Sequence, residues 1–264
     1  MSDERHLRTT FDSAAAAYQS ARPDYPSALF DDLIALTGIS PDDTLLEIGC
    51  GPGKATLPLA RKGFRITAIE LGSDLAEQAR LNLAPFRGVL VVTAPFEDWE
   101  PAVGGGFDLI YAATSWHWVD PEIRYPKAAA LLRPGGHLAV WSAGHALPDD
   151  VDPIFSAIQA VYDEIGEHHP GELPPPPPDR EADSSAELAA SGRFEPVGVR
   201  RYLWFERYSA DAYIALLNTF SGHIVMEPAK RNRLYAEIRR LLAARSDGQL
   251  IRHWSSVLTV GRRT

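Results

Sequence analysis

The chain has 264 residues, 45% of them hydrophobic, a formal net charge of −9 and a single cysteine, Cys50. Such a composition supplies a sizeable core, while the negative charge argues against sequence-independent binding to nucleic acid, which needs a basic footprint. One cysteine excludes an intramolecular disulfide and a cysteine metal cage; with no apolar h-region after the polar start, and no run near the roughly 18 apolar residues of a membrane helix, a cytoplasmic location is expected.

Residues 6–26 contain four alanines at 14–17, Tyr18, and then Ala21-Arg22-Pro23-Asp24-Tyr25-Pro26. Alanine favours a helix over 13–20 and the prolines end it. An arginine and two tyrosines beside that break suggest a lid over a ligand. Ser27 to Thr37 then places Leu29, Phe30, Leu33, Ile34 and Leu36 on one side at helical spacing, which predicts a helix packed on a sheet.

The most informative stretch is Thr44 to Lys54, Thr-Leu-Leu-Glu-Ile-Gly-Cys-Gly-Pro-Gly-Lys. A short apolar run with one acid, Glu47, ends abruptly in Gly49, Gly51 and Gly53, which reads as a buried strand and a tight turn. Cys50 reads as a small residue within that turn. A helix follows from Ala55 to Arg61, with Pro58 tolerable only near its first turn. Glycine admits close approach of a ligand, so strand, turn and helix predict a nucleotide-type site at the carboxyl edge of a parallel sheet. A dinucleotide fingerprint is excluded because Lys54 occupies its third glycine position, and a P-loop because Ile48 and Ala55 replace its first glycine and its hydroxyl residue.

Phe64 to Glu70 is the second predicted strand. Glu70 lies about 20 residues beyond the glycine turn, where an acid binds ribose hydroxyls in nucleoside-binding folds; Leu71 beside it is placed to pack on a base. Ser73 or Asp74 is a candidate cap for the next helix, which turns Leu75, Ala79 and Leu83 inward and runs to Pro85. Val89 to Val92 is a third strand, followed by Thr93-Ala94-Pro95-Phe96-Glu97-Asp98-Trp99. Phe107 to Ala112 is the fourth, running into Trp116-His117-Trp118-Val119-Asp120. Pro121 to Leu132 is a helix interrupted by Pro126, and Arg133-Pro134-Gly135-Gly136 turns into a fifth strand, His137 to Ser142.

Beyond Gly144, Ile154, Phe155, Ile158, Val161 and Tyr162 form a helical face. Pro174 to Pro178 is a proline run that favours polyproline II, read as a stiff connector rather than a ligand for a proline-recognition domain. Val199 to Phe205 and Ile251 to Val260 are the sixth and seventh strands, with helices over 210–221 and 228–245 between them. The second of these helices is rich in lysine and arginine, which reads as a solvated basic face.

The Glu47-x-Gly49-x-Gly51-x-Gly53 motif resembles the first motif of the class I S-adenosylmethionine-dependent methyltransferases. The Phe107 to Asp120 stretch and the Leu132-Arg133-Pro134-Gly135-Gly136 turn resemble a small-molecule subgroup similar to trans-aconitate methyltransferase. The resemblance covers Phe11 to Ser142. It implies an α/β, Rossmann-like, seven-stranded, mostly parallel sheet with helices on both faces, an antiparallel last strand and a helical cap. It implies a cofactor-binding domain over 1–144 and 193–264, with 1–26 as lid, and cap insertions over 145–192 and 209–246. The implied cofactor is S-adenosylmethionine, held by Tyr18, Arg22, Glu47, Gly49, Cys50, Gly51, Gly53, Glu70, Leu71, Phe96, Glu97 and Ala112. In such proteins the arginine meets the cofactor carboxylate. The family's adenine-binding acid appears here as Pro95, leaving the Phe96 backbone and Glu97 as substitutes.

Methyl transfer from a sulfonium needs alignment and exclusion of water; no metal is required, and no cluster has metal-ligand spacing. His117 is the candidate base for a hydroxyl acceptor, with Trp116, Trp118 and Tyr25 on the acceptor side; His145, His223 and His253 are weaker candidates. If the acceptor is a carboxylate, no base is needed. The expected partner is a small organic acceptor, with no membrane and no nucleic acid. Three other readings stand beside this one: an RNA acceptor, which needs a basic stripe; a nicotinamide-dependent reductase, which needs the missing glycine geometry; and a cofactor-binding protein without transferase activity. The oligomeric state is not written in the sequence.

Overall fold

The computed structural model describes residues 21–102, 106–148, 151–167 and 181–264. Tyr18, the helix expected over 13–20 and the Pro174–Pro178 run lie outside the described residues. In chain order the elements are α1 (Ser27–Thr37), β1 (Thr44–Ile48), α2 (Thr56–Arg61), β2 (Arg65–Glu70), α3 (Ser73–Leu83), β3 (Val89–Thr93) and β4 (Phe107–Ala113). A single 3-10 turn, Trp116–Trp118, leads to α4 (Pro121–Leu131), β5 (Leu132–Trp141) and β6 (Ala143–Ala146). Then come α5 (Ile154–Glu164), α6 (Ser185–Ala190), β7 (Phe194–Ser209), α7 (Ala210–Leu217), α8 (Ser221–Val225), α9 (Pro228–Ala243) and β8 (Gln249–Arg263).

The sheet runs β3-β2-β1-β4-β5-β8, with β6 on the same edge of β8 as β5 and β7 on its other edge. Strands β1 to β5 are parallel and β8 is antiparallel to its neighbours. The described sheet has eight strands rather than the expected seven. The extra one comes from the break at Ser142, which splits the fifth strand: β5 pairs with Thr259–Arg262 of β8 and β6 with His253–Ser256.

β1 is buried on both faces because helices cover both. Leu45 joins Leu29, Leu33 and Leu59 under α1 and α2, while Leu46 and Ile48 join Ile110, Ala128 and Leu138 under α4. This near-continuous apolar run is characteristic of a central parallel strand. A third cluster packs α5, α7 and α9 around Leu250 and Trp254 at the start of β8. The inward positions expected for α3, Leu75, Ala79 and Leu83, are buried. Its N-cap, however, is Gly72; Ser73 and Asp74 already lie inside the helix. Between β7 and β8 the expected helix over 210–221 is two, α7 and α8, separated at Asn218 to Phe220.

Candidate functional site

Strand order reverses between β1 and β4: β2 and β3 lie to one side, β4 and β5 to the other. The crevice at the carboxyl ends of these strands is where open α/β sheets bind ligands. The glycine turn closes one wall. Gly49 and Cys50 both donate from their backbone amides to Ile69 O, at 2.8 and 3.0 Å, tying the turn to the end of β2. Gly49 has φ +67°, and a Cβ there would lie 2.6 Å from Ser115 Cβ. The position therefore demands glycine on both conformational and steric grounds. The Ser115 hydroxyl donates to Ile48 O, pinning the end of β4 against the turn.

Glu70 organises the other side. Its carboxylate accepts from Gly51 N at 2.8 Å and from Gly72 N at 2.9 Å, so both oxygens are fixed in direction by backbone amides. It is only 8% exposed and lines a cavity of ≈ 320 Å³. One end of the cavity is apolar, formed by Ile69, Leu71, Leu75, Ala94 and Phe96; the opposite wall is Ala113, Thr114, Ser115, His117 and Trp118; Arg22, Phe220 and Ser221 close it. This volume is within the usual range for a small-molecule site. An acid held by amides beside an apolar slot and an open glycine backbone fits a nucleoside with an amino-acid tail.

The expected site residues divide into three groups. Arg22, Gly49, Gly51, Glu70, Leu71, Phe96, His117 and Trp118 line the main cavity. Tyr25, Glu47 and Cys50 line a smaller adjoining cavity of ≈ 40 Å³, together with Lys54 and Trp254. Gly53, Glu97, Ala112 and Trp116 line neither. Gly53 instead abuts Leu83 of α3, where a Cβ would sit 2.9 Å from Leu83 Cδ1. Glu97 accepts from Asp120 N at 3.2 Å. Ala112 faces the α4 side of the core, and Trp116 is buried there edge-on to Tyr125 at 5.2 Å. None of the weaker histidines enters the cavity: His145 packs on Phe155, His223 Nε2 is 2.9 Å from Tyr162 OH, and His253 meets Phe205.

Sequence reasoning missed Thr114, Ser115, Ala143, Phe220 and Ser221. Thr114 is the one non-glycine residue with positive φ among the described residues, at 59°. Its Oγ1 lies 2.8 Å from Tyr25 OH and accepts from Ala143 N at 3.2 Å. A conformation that costs on the order of 1–3 kcal/mol thus joins the N-terminal segment to β6 at the cavity wall. Arg22 reaches the same wall from the other side, donating to Thr219 Oγ1 (2.7 Å) and Thr219 O (3.1 Å), with its guanidinium 3.9 Å from the centre of the Phe220 ring.

Electrostatics separate structural from chemical groups. Glu47 is fully buried; Thr56 Oγ1 and Tyr111 OH both donate to its Oε2, at 2.5 and 2.8 Å. Burial pushes its pKa up to about 8 against these hydrogen bonds, so it is a largely protonated pin between β1, α2 and β4. Burial raises the Cys50 thiol well above its ordinary value, which rules out an activated thiolate. His117, on the exposed rim, has its pKa lowered by partial burial and by the Arg124 guanidinium. No group of three or more metal-ligating side chains occurs among the described residues. The basic helix α9 is not a bare cationic stripe: Lys230, Arg233, Arg239 and Arg240 pair with Glu167, Glu164, Asp211 and Glu237.

Known proteins resemble this chain in sequence and in fold. Residues 46–140 match a family described as a methyltransferase domain. Over 165 residues, 57% of this chain and 63% of the relative, the chain is 33% identical to an uncharacterised methyltransferase of Mycobacterium tuberculosis (strain ATCC 25618 / H37Rv). Over 112 residues, 41% and 42% of the two chains, it is 35% identical to trans-aconitate 2-methyltransferase of Paracidovorax citrulli. The chain thus spans 63% and 42% of the lengths of these relatives. A solved structure assigned as a type II methyltransferase from Anaeromyxobacter dehalogenans is similar over 91% of this chain and 97% of that one, with a TM-score of 0.62 at 26% identity. By these matches residues 46–140 form a methyltransferase domain, and the chain is similar to methyltransferases in sequence and in fold.

Proposed function

We propose that this chain transfers the methyl group of S-adenosylmethionine to a small organic acceptor that carries an acidic group. The observation that carries the reading is the buried Glu70 carboxylate, clamped by Gly51 and Gly72 amides at the edge of one cavity that also reaches His117 and Phe220. Glu70 would hold the ribose hydroxyls, Leu71 and Phe96 the adenine, and the glycine turn with Arg22 the amino-acid end. The cofactor, when bound, supplies a sulfonium-activated methyl carbon: the acceptor atom forms a bond to it, the carbon–sulfur bond breaks and S-adenosylhomocysteine leaves. The chain's own residues align the acceptor and keep water out, which suits the Trp118 and Phe220 walls. On this reading the segment 209–246 belongs to the cap and brings Phe220 and Ser221 to the cavity.

The acidic character of the acceptor rests on Arg252. This residue is 5% exposed, its Nε makes no hydrogen bond, and no carboxylate among the described residues pairs with it. Its guanidinium lies 4.4 Å from the Trp254 ring and 5.4 Å from the Phe220 ring. A buried cation without a counter-ion costs several kcal/mol, and Arg252 stands behind the Phe220 wall against which Arg22 also packs. An anion at that wall would offset the cost. The similar trans-aconitate 2-methyltransferase is named for an acid acceptor. The test is S-adenosylhomocysteine release with a panel of small carboxylic acids and their neutral esters. Turnover with acids alone is expected; turnover confined to neutral acceptors, or none with cofactor bound, contradicts the reading. The packing-matched Arg252→Met is expected to raise KM for the acid about tenfold or more, with cofactor affinity unchanged.

His117 lies where acceptor and methyl carbon would meet. Because burial and Arg124 lower its pKa, the neutral imidazole persists as pH falls below the ordinary histidine value. The acid limb of the activity profile should therefore fall below about pH 6.5. His117→Ala should reduce kcat/KM about 10- to 100-fold and leave cofactor affinity intact. A limb above that pH, or full activity in the variant, removes His117 from the mechanism.

A further inference from the structure

We propose that β7 is a self-recognition edge, pairing antiparallel with β7 of a second copy of this chain about a two-fold axis at Leu203. β7 is 16 residues long. It pairs with β8 along its whole length, from Phe194 opposite Arg263 to Ser209 opposite Gln249. Its other edge meets no strand among the described residues. A long open edge presents unpaired amides and carbonyls to any matching strand, and proteins usually blunt such edges with charge. Here the edge also shows apolar surface: Leu203 is 50% and Phe205 55% exposed.

The charges on this edge are arranged to attract a copy of themselves. In an isologous antiparallel pair the axis must pass through a residue, because opposed residues alternate between hydrogen-bonded and non-bonded positions. With the axis at Leu203, Arg200 faces Glu206 of the copy, and Glu206 faces its Arg200. Both are exposed and neither makes an ion pair among the described residues, where Arg200 donates to the neighbouring Val199 O. On the same face Tyr202 meets Trp204, and on the opposite face Leu203 meets Leu203 while Arg201 faces Phe205. The charged, aromatic and apolar pairs are favourable across strands, while Arg201 is already held by Asp183.

Neighbouring registers lose this match. An axis at Tyr202 sets Glu206 against Gly198, and an axis at Trp204 brings Arg201 against Arg207. Like charges directly opposite each other are unfavourable, so the Leu203 register is selected. A pairing this short buries a modest area, so reversible association in the micromolar range is expected.

The experiment is sedimentation velocity of the full chain from about 1 to about 100 µM. A monomer–dimer equilibrium is expected. Arg200→Glu and Glu206→Arg should each weaken the dimer about tenfold or more, since each places two like-charge pairs across the axis. The double variant should restore it. A chain that stays monomeric throughout overturns the proposal. So does a dimer indifferent to the single reversals, or one that the double reversal fails to restore. Circular dichroism and S-adenosylmethionine affinity of the three variants should match the parent chain, because these side chains lie outside the cavity.

Discussion

Glu70→Ala is expected to weaken S-adenosylmethionine binding by about 100-fold or more in a calorimetric titration. The substitution removes the acceptor of two backbone bonds, from Gly51 and Gly72, each of the charge-assisted kind that contributes about 1.5–3 kcal/mol. It also removes the carboxylate facing the cavity, so the turn loses its anchor and the ligand its ribose partner together. Glu97→Ala is the matched control: it deletes an acid of the same size that holds Asp120 N outside the cavity, and its cofactor affinity should equal that of the parent. If both variants bind like the parent chain, the assignment of the nucleoside end is wrong.

The second large effect concerns pH. Glu47 ionises in the unfolded chain near the ordinary glutamate value of 4.5, and burial pushes it up to about 8 in the fold. Between those values the folded state binds the extra proton, so the contribution of Glu47 to stability is full below about pH 4.5 and is lost as pH rises through about 8. The gap corresponds to a stability change on the order of 5 kcal/mol. Glu47→Gln keeps an oxygen for Thr56 and Tyr111 while removing the titration. Denaturant unfolding at several pH values from about 5 to 8 should show the variant gaining steadily on the parent as pH rises. Parallel curves for the two proteins would show that Glu47 is charged in the fold.

The parts of the site that lie close together in sequence were legible because chemistry and geometry coincide there. A glycine cluster after a buried strand predicts a turn, and an acid some 20 residues later predicts a ribose partner. Gly49, Gly51 and Glu70 line the cavity. It failed where one position decides the face. Ala112 points to the core while Ala113 and Thr114 reach the cavity, since the strand continues one residue beyond its expected end at Ala112 and then bends into a left-handed threonine. The 3-10 turn at Trp116–Trp118 likewise buries Trp116 and turns His117 and Trp118 outward to the cavity, which no alternation pattern foretells. Gly53 belongs to the same motif, yet it serves the packing of α3. Phe220 and Ser221 carry no local signature. They reach the site only because β7 and β8 bracket the helices that hold them.

β8 also has a consequence for how the protein is made. It is the last strand in chain order but occupies an interior position, hydrogen-bonded to β5 and β6 on one side and to β7 on the other. During synthesis the glycine turn, Glu70 and the first five strands emerge and can pair while the place of β8 is still empty. Until its residues leave the ribosome, the edges of β5 and β7 that it will cover are bare, and bare edges invite wrong partners. Trp254, which completes both the helical cluster and the wall of the smaller cavity, arrives at the same moment. Closure of the sheet and completion of the smaller cavity's wall are therefore one event.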